Sequence, residues 1–192
     1  MIVVLGRPRL DERGALSGTA GRVAVAARSA GAQVTIVGLV ADDAAGDAAV
    51  TELGRAGVGH AALLRQPGGG DVRPLERADI ELALGYVPEC QVLVAAEPLS
   101  DDALSATAEA AAYHGAALIC VAPAGAAPQA QLPDSATVLE LPADDDAGGA
   151  FADLVGRYAA ALAGGADPAE AWKSAVEKSG WEPADPTEPA SA

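Results

Sequence analysis

The sequence predicts an α/β fold, a three-layer arrangement in which a mostly parallel sheet carries helices on both faces. Apolar β-branched runs alternate along the chain with Ala-rich segments of helical period. Most of those runs are too uniformly apolar for a sheet with one wet face, which points to cover on both sides. The composition adds a constraint on packing. Of 192 residues, 51% are apolar, yet 48 are Ala and 22 are Gly against six aromatics, so the core must be built from small side chains and close helix-to-sheet contacts. One domain is expected, since a chain of this length buries roughly 70% of its unfolded surface.

The predicted strands are Ile2 to Leu5, Gln33 to Val40, Ala61 to Arg65, Gln91 to Ala95, Ala117 to Val121 and Thr137 to Leu141. Helices are predicted at Ala20 to Ala30, Ala44 to Ala56, Asp101 to His114, Ala147 to Ala163 and Pro168 to Ser179. Ser100 offers a cap to the third helix, with Asp101 and Asp102 in the first turn where the amide dipole favours acids. The last helix has the clearest start: Asp167 can cap it, Pro168 takes the first position where no amide is needed, and Glu170 follows three residues after the cap. Gly164 and Gly165 stop the helix before it. The QPGGGD segment, Gln66 to Asp71, reads as a turn inside one sheet rather than a domain linker. A compact domain is therefore expected over residues 1–180, followed at 181–192 by an acidic, Pro-rich tail with almost nothing to bury and an expectation of disorder.

With 27 acidic against 12 basic residues, the formal net charge is -15. That balance excludes a generic nucleic-acid binder and disfavours anionic lipid surfaces. Basic residues nevertheless cluster early, at Arg7, Arg9, Arg13, Arg22 and Arg28, so the first third could hold an anionic ligand. Cys90 and Cys120 lie in or beside apolar stretches and read as buried thiols. The opening MIVVLG lacks the pattern of a signal peptide, and no apolar run approaches the ~20 residues of a membrane span, so a cytoplasmic location without membrane contact is expected. The NTPase lysine loop, HExxH, CxxC, GxSxG and GxGxxG are all missing from the sequence.

Seven acidic residues at four sites stand where ligands gather in open α/β sheets, beyond the carboxyl ends of strands. Asp11 follows the first strand and could accept hydrogen bonds from sugar or nucleoside hydroxyls, or be an exposed loop acid. Asp42 and Asp43 follow the second strand, where they could shape a polar mouth or cap the next helix. Glu97 ends another strand, at the edge of the same expected cleft. Asp144, Asp145 and Asp146 precede Ala147, Gly148 and Gly149, a Gly-rich helix start whose amides could cradle a phosphate; the three acids would oppose that unless Mg2+ or a basic group screened them.

The order of these motifs resembles the ribokinase-like, or PfkB-type, carbohydrate and nucleoside kinases. VVLGRPRLD is similar to the family's first strand, glycine and substrate-facing aspartate, with Asp11 in the aspartate role. GRVAVAARSAGAQVTIVGLVADDAAGDAAVTELGRAGVGH resembles its helix, second strand, Asp-Asp turn and next helix. LVAAEPLSDDALSATAEAAAYHGAALICVAPAG and DDDAGGAFADLVGRYAAALAGGADPAEAWKSAVEKSG follow in the same order. The resemblance implies a truncated ribokinase-like fold. It implies ligand contacts at Asp11, Gly18, Arg22, Asp42, Asp43 and Glu97, and an anion-binding turn at Ala147, Gly148 and Gly149.

The departures concern chemistry. The family transfers the γ-phosphate of ATP to a hydroxyl, with the aspartate of a GAGD turn as base. Here that turn reads Asp146, Ala147, Gly148 and Gly149, which puts Gly149 at the base position, and glycine cannot accept a proton. Ser17, Gly18 and Arg22 replace the early Gly-Gly and Asn pattern, Ala41 replaces the glycine before the Asp-Asp turn, and no Asn-x-x-Glu motif follows the strand at 137–141. The chain passes almost directly from that strand to the DDDAGG turn, without the family's nucleotide-holding strands. The expectation is a degenerate kinase-like protein that binds a small polar sugar or nucleoside, or a protein partner, without phosphotransfer and without a cofactor. The alternative is a kinase using ATP and Mg2+ with Asp146 as a displaced base. A third reading is a domain that mainly supplies an interface to a second copy or another chain. Metal ligands are not assigned from sequence.

Overall fold

The structure is a computed structural model that describes residues 1–125, 132–142, 146 and 148–181. The tail expected to be disordered after about residue 182, together with Asp144, Asp145 and Ala147, lies outside the described residues. Six parallel strands form the central sheet: β1 (Ile2–Leu5), β4 (Val34–Ala41), β5 (Gly59–Gln66), β6 (Val92–Ala95), β7 (Ala117–Ala122) and β8 (Thr137–Glu140), in the order β5-β4-β1-β6-β7-β8. The remaining strands, β2 (Arg9–Leu10) and β3 (Leu16–Ser17), pair as a short antiparallel hairpin. The helices are α1 (Gly18–Ser29), α2 (Ala44–Arg55), α3 (Arg77–Leu84), α4 (Asp101–His114), α5 (Ala150–Ala163) and α6 (Pro168–Ser179).

Cover on both faces is realised by two separate apolar clusters. One joins Ile2, Val4, Ile36 and Val94 to α1, α2, α5 and α6 through residues such as Val23, Leu53, Phe151 and Ala171. The other joins Val3, Leu5, Val37 and Leu93 to α3 and α4 through Ile80, Ala83, Leu104 and Ala111. Alternate residues of each strand thus point into different clusters, and the uniformly apolar runs follow from that. Phe151, the single Phe of the chain, is almost fully buried, and withdrawing such a ring from water is worth roughly 2–3 kcal/mol.

Small residues let the helices approach closely. Gly156 of α5 sits where a Cβ would fall 2.6 Å from the Ala26 Cβ and 2.7 Å from the Ala27 nitrogen of α1. The contact leaves no room for a side chain.

Helix starts follow the caps visible in the sequence. The Ser100 hydroxyl accepts from the Ala103 amide, and the Asp167 carboxylate accepts from the Ala169 amide at 2.9 Å. Helix α5 begins at Ala150 rather than Ala147, three residues later than the sequence predicts. Gly149 stands before it with φ +78°, a left-handed conformation that ends the incoming turn and that glycine adopts freely.

Two elements lack a sequence signal long enough to read. The β2–β3 strands have two residues each, too few to display alternation. Helix α3 has eight residues and buries Ile80, Ala83 and Leu84. Its start is fixed by Asp79, which accepts from the Glu76 amide at 2.9 Å and from both terminal nitrogens of Arg73 at 2.6 and 2.8 Å.

The Arg73 guanidinium holds the Asp79 carboxyl below the usual carboxylate range. A depressed folded-state value means the stabilisation is complete above the unfolded carboxyl's value of about 3.9 and is lost as pH falls through the folded value. Asp79→Asn is therefore expected to cost about 1.5–3 kcal/mol near neutral pH in urea unfolding, with the gap to wild type closing below about pH 4. For the helix contact, Gly156→Ala is expected to be net destabilising: strain of about 1–3 kcal/mol opposes the roughly 1 kcal/mol by which Ala is the better helix former. Gly156→Val should lose more in the same assay.

Candidate functional site

Because β1 is flanked by β4 on one side and β6 on the other, the chain reverses its direction of winding there, and the carboxyl end of β1 is the switch point where ligands collect in such sheets. Parallel register sets Leu5 beside Ala95, so two residues further on Arg7 stands beside Glu97. The Arg7 Nε donates to both Glu97 oxygens, at 2.9 and 3.0 Å, while its Nη1 donates to the Val72 carbonyl at 2.8 Å. Both side chains are largely buried, at 17% and 15% exposure. An internal ion pair thus bridges the switch point, and it leaves Glu97 engaged. The sequence placed Glu97 correctly just past a strand end but did not show Arg7 as its partner; the available signal was an Arg one position beyond the Gly that follows β1.

Asp11 lies in the β2–β3 hairpin. Its Oδ1 accepts from the Arg13 and Ala15 amides, both at 2.9 Å, and the Ala15 bond is the main reason its carboxyl sits below the ordinary range. Asp43 caps α2, its Oδ1 accepting from Ala45 and Gly46 at 3.0 Å while Oδ2 faces the Gly70 amide at 3.4 Å; the Gly46 bond leads in lowering its pKa. Asp42 is exposed and lies 3.9 Å from Arg65, which pairs more closely with Asp47 at 2.7 Å.

The turn before α5 carries the arrangement with most bearing on chemistry. Asp146 is buried at 5% exposure with φ 56°. Its Oδ1 accepts from the Phe151 amide at 2.9 Å and its Oδ2 from the Ala152 amide at 2.8 Å. These are two of the four donors that a helix start leaves unpaired. The carbonyl of the same residue accepts from Gly149 and, at 2.6 Å, from the Arg22 Nη1 of α1. A carboxylate of the chain itself therefore fills the start of α5, where an external anion would sit.

The structure forms two open spaces from the predicted residues. A cleft of about 250 Å³ at the carboxyl end of β4 is lined by Pro8, Arg9, Ala41, Asp43 and Gly70 among others. A larger groove of about 710 Å³ runs over α1 and includes Arg22, Gly148 and Gly149. The hairpin separates them, lending β2 to the cleft and β3 to the groove. Asp11 and Glu97, which the sequence placed at one expected cleft, and Asp146 are not among the residues lining either space. Gly18 starts α1 at the foot of the hairpin, one residue after β3. Among the described residues, no group of three or more His, Cys, Asp or Glu is placed to hold a metal ion. Burial raises the thiols of Cys90 and Cys120 to about 11 and about 12, as expected of packing cysteines rather than nucleophiles. No helix among the described residues is long and apolar enough to cross a membrane.

No protein-family model and no curated protein sequence matches the chain. Its fold does match solved structures. Ribokinase of Arabidopsis thaliana complexed with ribose and ATP superposes with a TM-score of 0.66 at 15% identity, covering 93% of this chain and 90% of that one. Aminoimidazole riboside kinase of Salmonella enterica, with aminoimidazole riboside and an ATP analog, gives 0.60 at 12% identity over 93% and 90%. A mutant of phosphofructokinase-2 from Escherichia coli gives 0.59 at 15% identity over 93% and 91%. The chain has a ribokinase-like, PfkB-type fold.

The helix-start contact has a measurable weight. Asp146→Ala strips two amides of a charged, buried acceptor, and a loss of about 2–3 kcal/mol is expected in thermal or urea unfolding. Asp42→Ala, at an exposed position, should leave the transition nearly where it was.

Proposed function

We propose that this ribokinase-like domain holds a small polar ligand, a sugar or nucleoside, at the strand-end cleft and does not transfer phosphate to it. The observation that carries this reading is the turn before α5: the Asp146 carboxylate accepts the Phe151 and Ala152 amides, and position 149 is glycine. Phosphoryl transfer depends on positioned donors that meet the developing charge and on a base that takes the hydroxyl proton. Here an internal carboxylate occupies two of the donors, and its negative charge repels a phosphoryl group arriving at the same place.

Asp146 as a displaced base is the competing reading. Its two oxygens are taken by the Phe151 and Ala152 amides, and it lines neither open space. The short passage from Glu140 to Asp146, with only residues 141–145 between, further supports a shortened domain without the strands that would hold a nucleotide. The ligand class rests on the fold and on the cleft. The solved kinases of this fold include complexes with ribose and with a riboside, and the cleft here offers Arg9 and Asp43 beside apolar Leu10, Val40 and Ala41, a mixture suited to hydroxyls on a small ring.

Calorimetric titration with ribose, adenosine and Mg-ATP, run beside an ADP-release assay, tests the reading. Saturable binding of ribose or adenosine is expected, weakened by Arg9→Ala, with ADP release no higher in the presence of acceptor than without it. Acceptor-dependent ADP release that drops at least about tenfold in Asp146→Asn would establish the displaced-base kinase in its place.

A further inference from the structure

The groove over α1 has a different chemistry from the strand-end cleft and requires a different ligand. Its floor is one face of α1, with Val25 and Ala26 one turn beyond Arg22; its walls are α2 and the start of α5. At about 710 Å³ it falls within the range of small-molecule sites.

The charges along the groove cancel except at one point. Glu52 and Arg55 pair with each other on α2. Asp153 is paired with Arg157 at 2.6 Å. Arg22 differs, because its one hydrogen bond goes to a main-chain carbonyl and it makes no ion pair among the described residues. Besides the paired Glu52 and Asp153, two carboxylates among the described residues lie near it. Asp11 feels its field but directs Oδ1 to the amides of its own turn, and Asp146 turns its oxygens to Phe151 and Ala152. A guanidinium with one donor used and the others available therefore stands at the end of a largely apolar trough, in a chain of net charge -15.

We propose that this groove binds a small organic monoanion, a carboxylate on an apolar body, with the carboxylate on the Arg22 guanidinium and the body along the floor at Val25 and Ala26. The floor at Val25 and Ala26 offers no hydrogen-bonding side chain and so suits an alkyl body better than a ring of hydroxyls. A phosphate dianion brings a second charge that the one guanidinium without an ion pair in this groove, among the described residues, does not match. The groove reading is independent of ligand binding at the strand-end cleft.

The test uses hexanoate as probe, with hexanol and inorganic phosphate as comparisons, followed by amide chemical shifts of the full chain. Hexanoate should give saturable shifts at Arg22, Val25, Ser29, Gly148 and Gly149, with hexanol at least about tenfold weaker and phosphate without saturation there. Affinity should fall at least about tenfold in Arg22→Gln and fall less in Arg22→Lys, which keeps the charge but not the planar fork. Because Arg22→Gln also removes the bond to the Asp146 carbonyl, Val25→Asp provides a second variant that leaves that bond in place and sets a like charge on the floor; it too should lose hexanoate. The proposal is overturned by any of three results: no saturable shifts in the groove, hexanol equal to hexanoate, or Val25→Asp binding as wild type does.

Discussion

Helix α5 can approach α1 as closely as it does because residue 156 has no side chain. With a Cβ there only 2.6 Å from that of Ala26, the two helices would have to separate, and the start of α5 would move with them. That start is where Arg22 reaches the Asp146 carbonyl and where a Cβ added at Gly149 would stand 3.8 Å from the Arg22 Cδ and Nη1. The geometry of the turn is thus tied to helix packing nearly two turns away. The Ala- and Gly-rich composition, which costs the core bulk, makes the approach available.

Carboxylates dominate the charge of the chain, yet those at the strand ends act mainly on the chain itself. Asp43 and Asp146 cap helices, Asp11 closes its own hairpin and Glu97 holds Arg7. Each satisfies donors that would otherwise be unpaired at a helix start, a tight turn or a buried guanidinium. In a sheet of this kind the same positions face the ligand crevice, so internal satisfaction and ligand chemistry compete for the same oxygens. At Asp146 the internal bonds occupy both oxygens.

The arginines divide in a corresponding way. Arg7, Arg65, Arg73 and Arg77 are tied to carboxylates, with Arg77 reaching Glu81, Asp102 and Glu109 together. Arg22 is tied to a carbonyl alone.

By itself the sequence determined the three-layer architecture, five of the helices and all six sheet strands to within two residues at most boundaries, because period, caps and uniform apolarity are local properties of the chain. It missed α3 and the hairpin, whose patterns are too short to stand above the composition, and it opened α5 three residues early because the αL turn at Gly149 is a backbone choice that the letters permit but do not require. For the acids it could name positions but not partners. The donors that decide what Glu97 and the Asp146 turn do come from Arg7 and Arg22, 90 and 124 residues away in sequence. Only the folded arrangement brings those charges together, and a carboxylate is a cap, an ion-pair partner or a base according to which donors surround it.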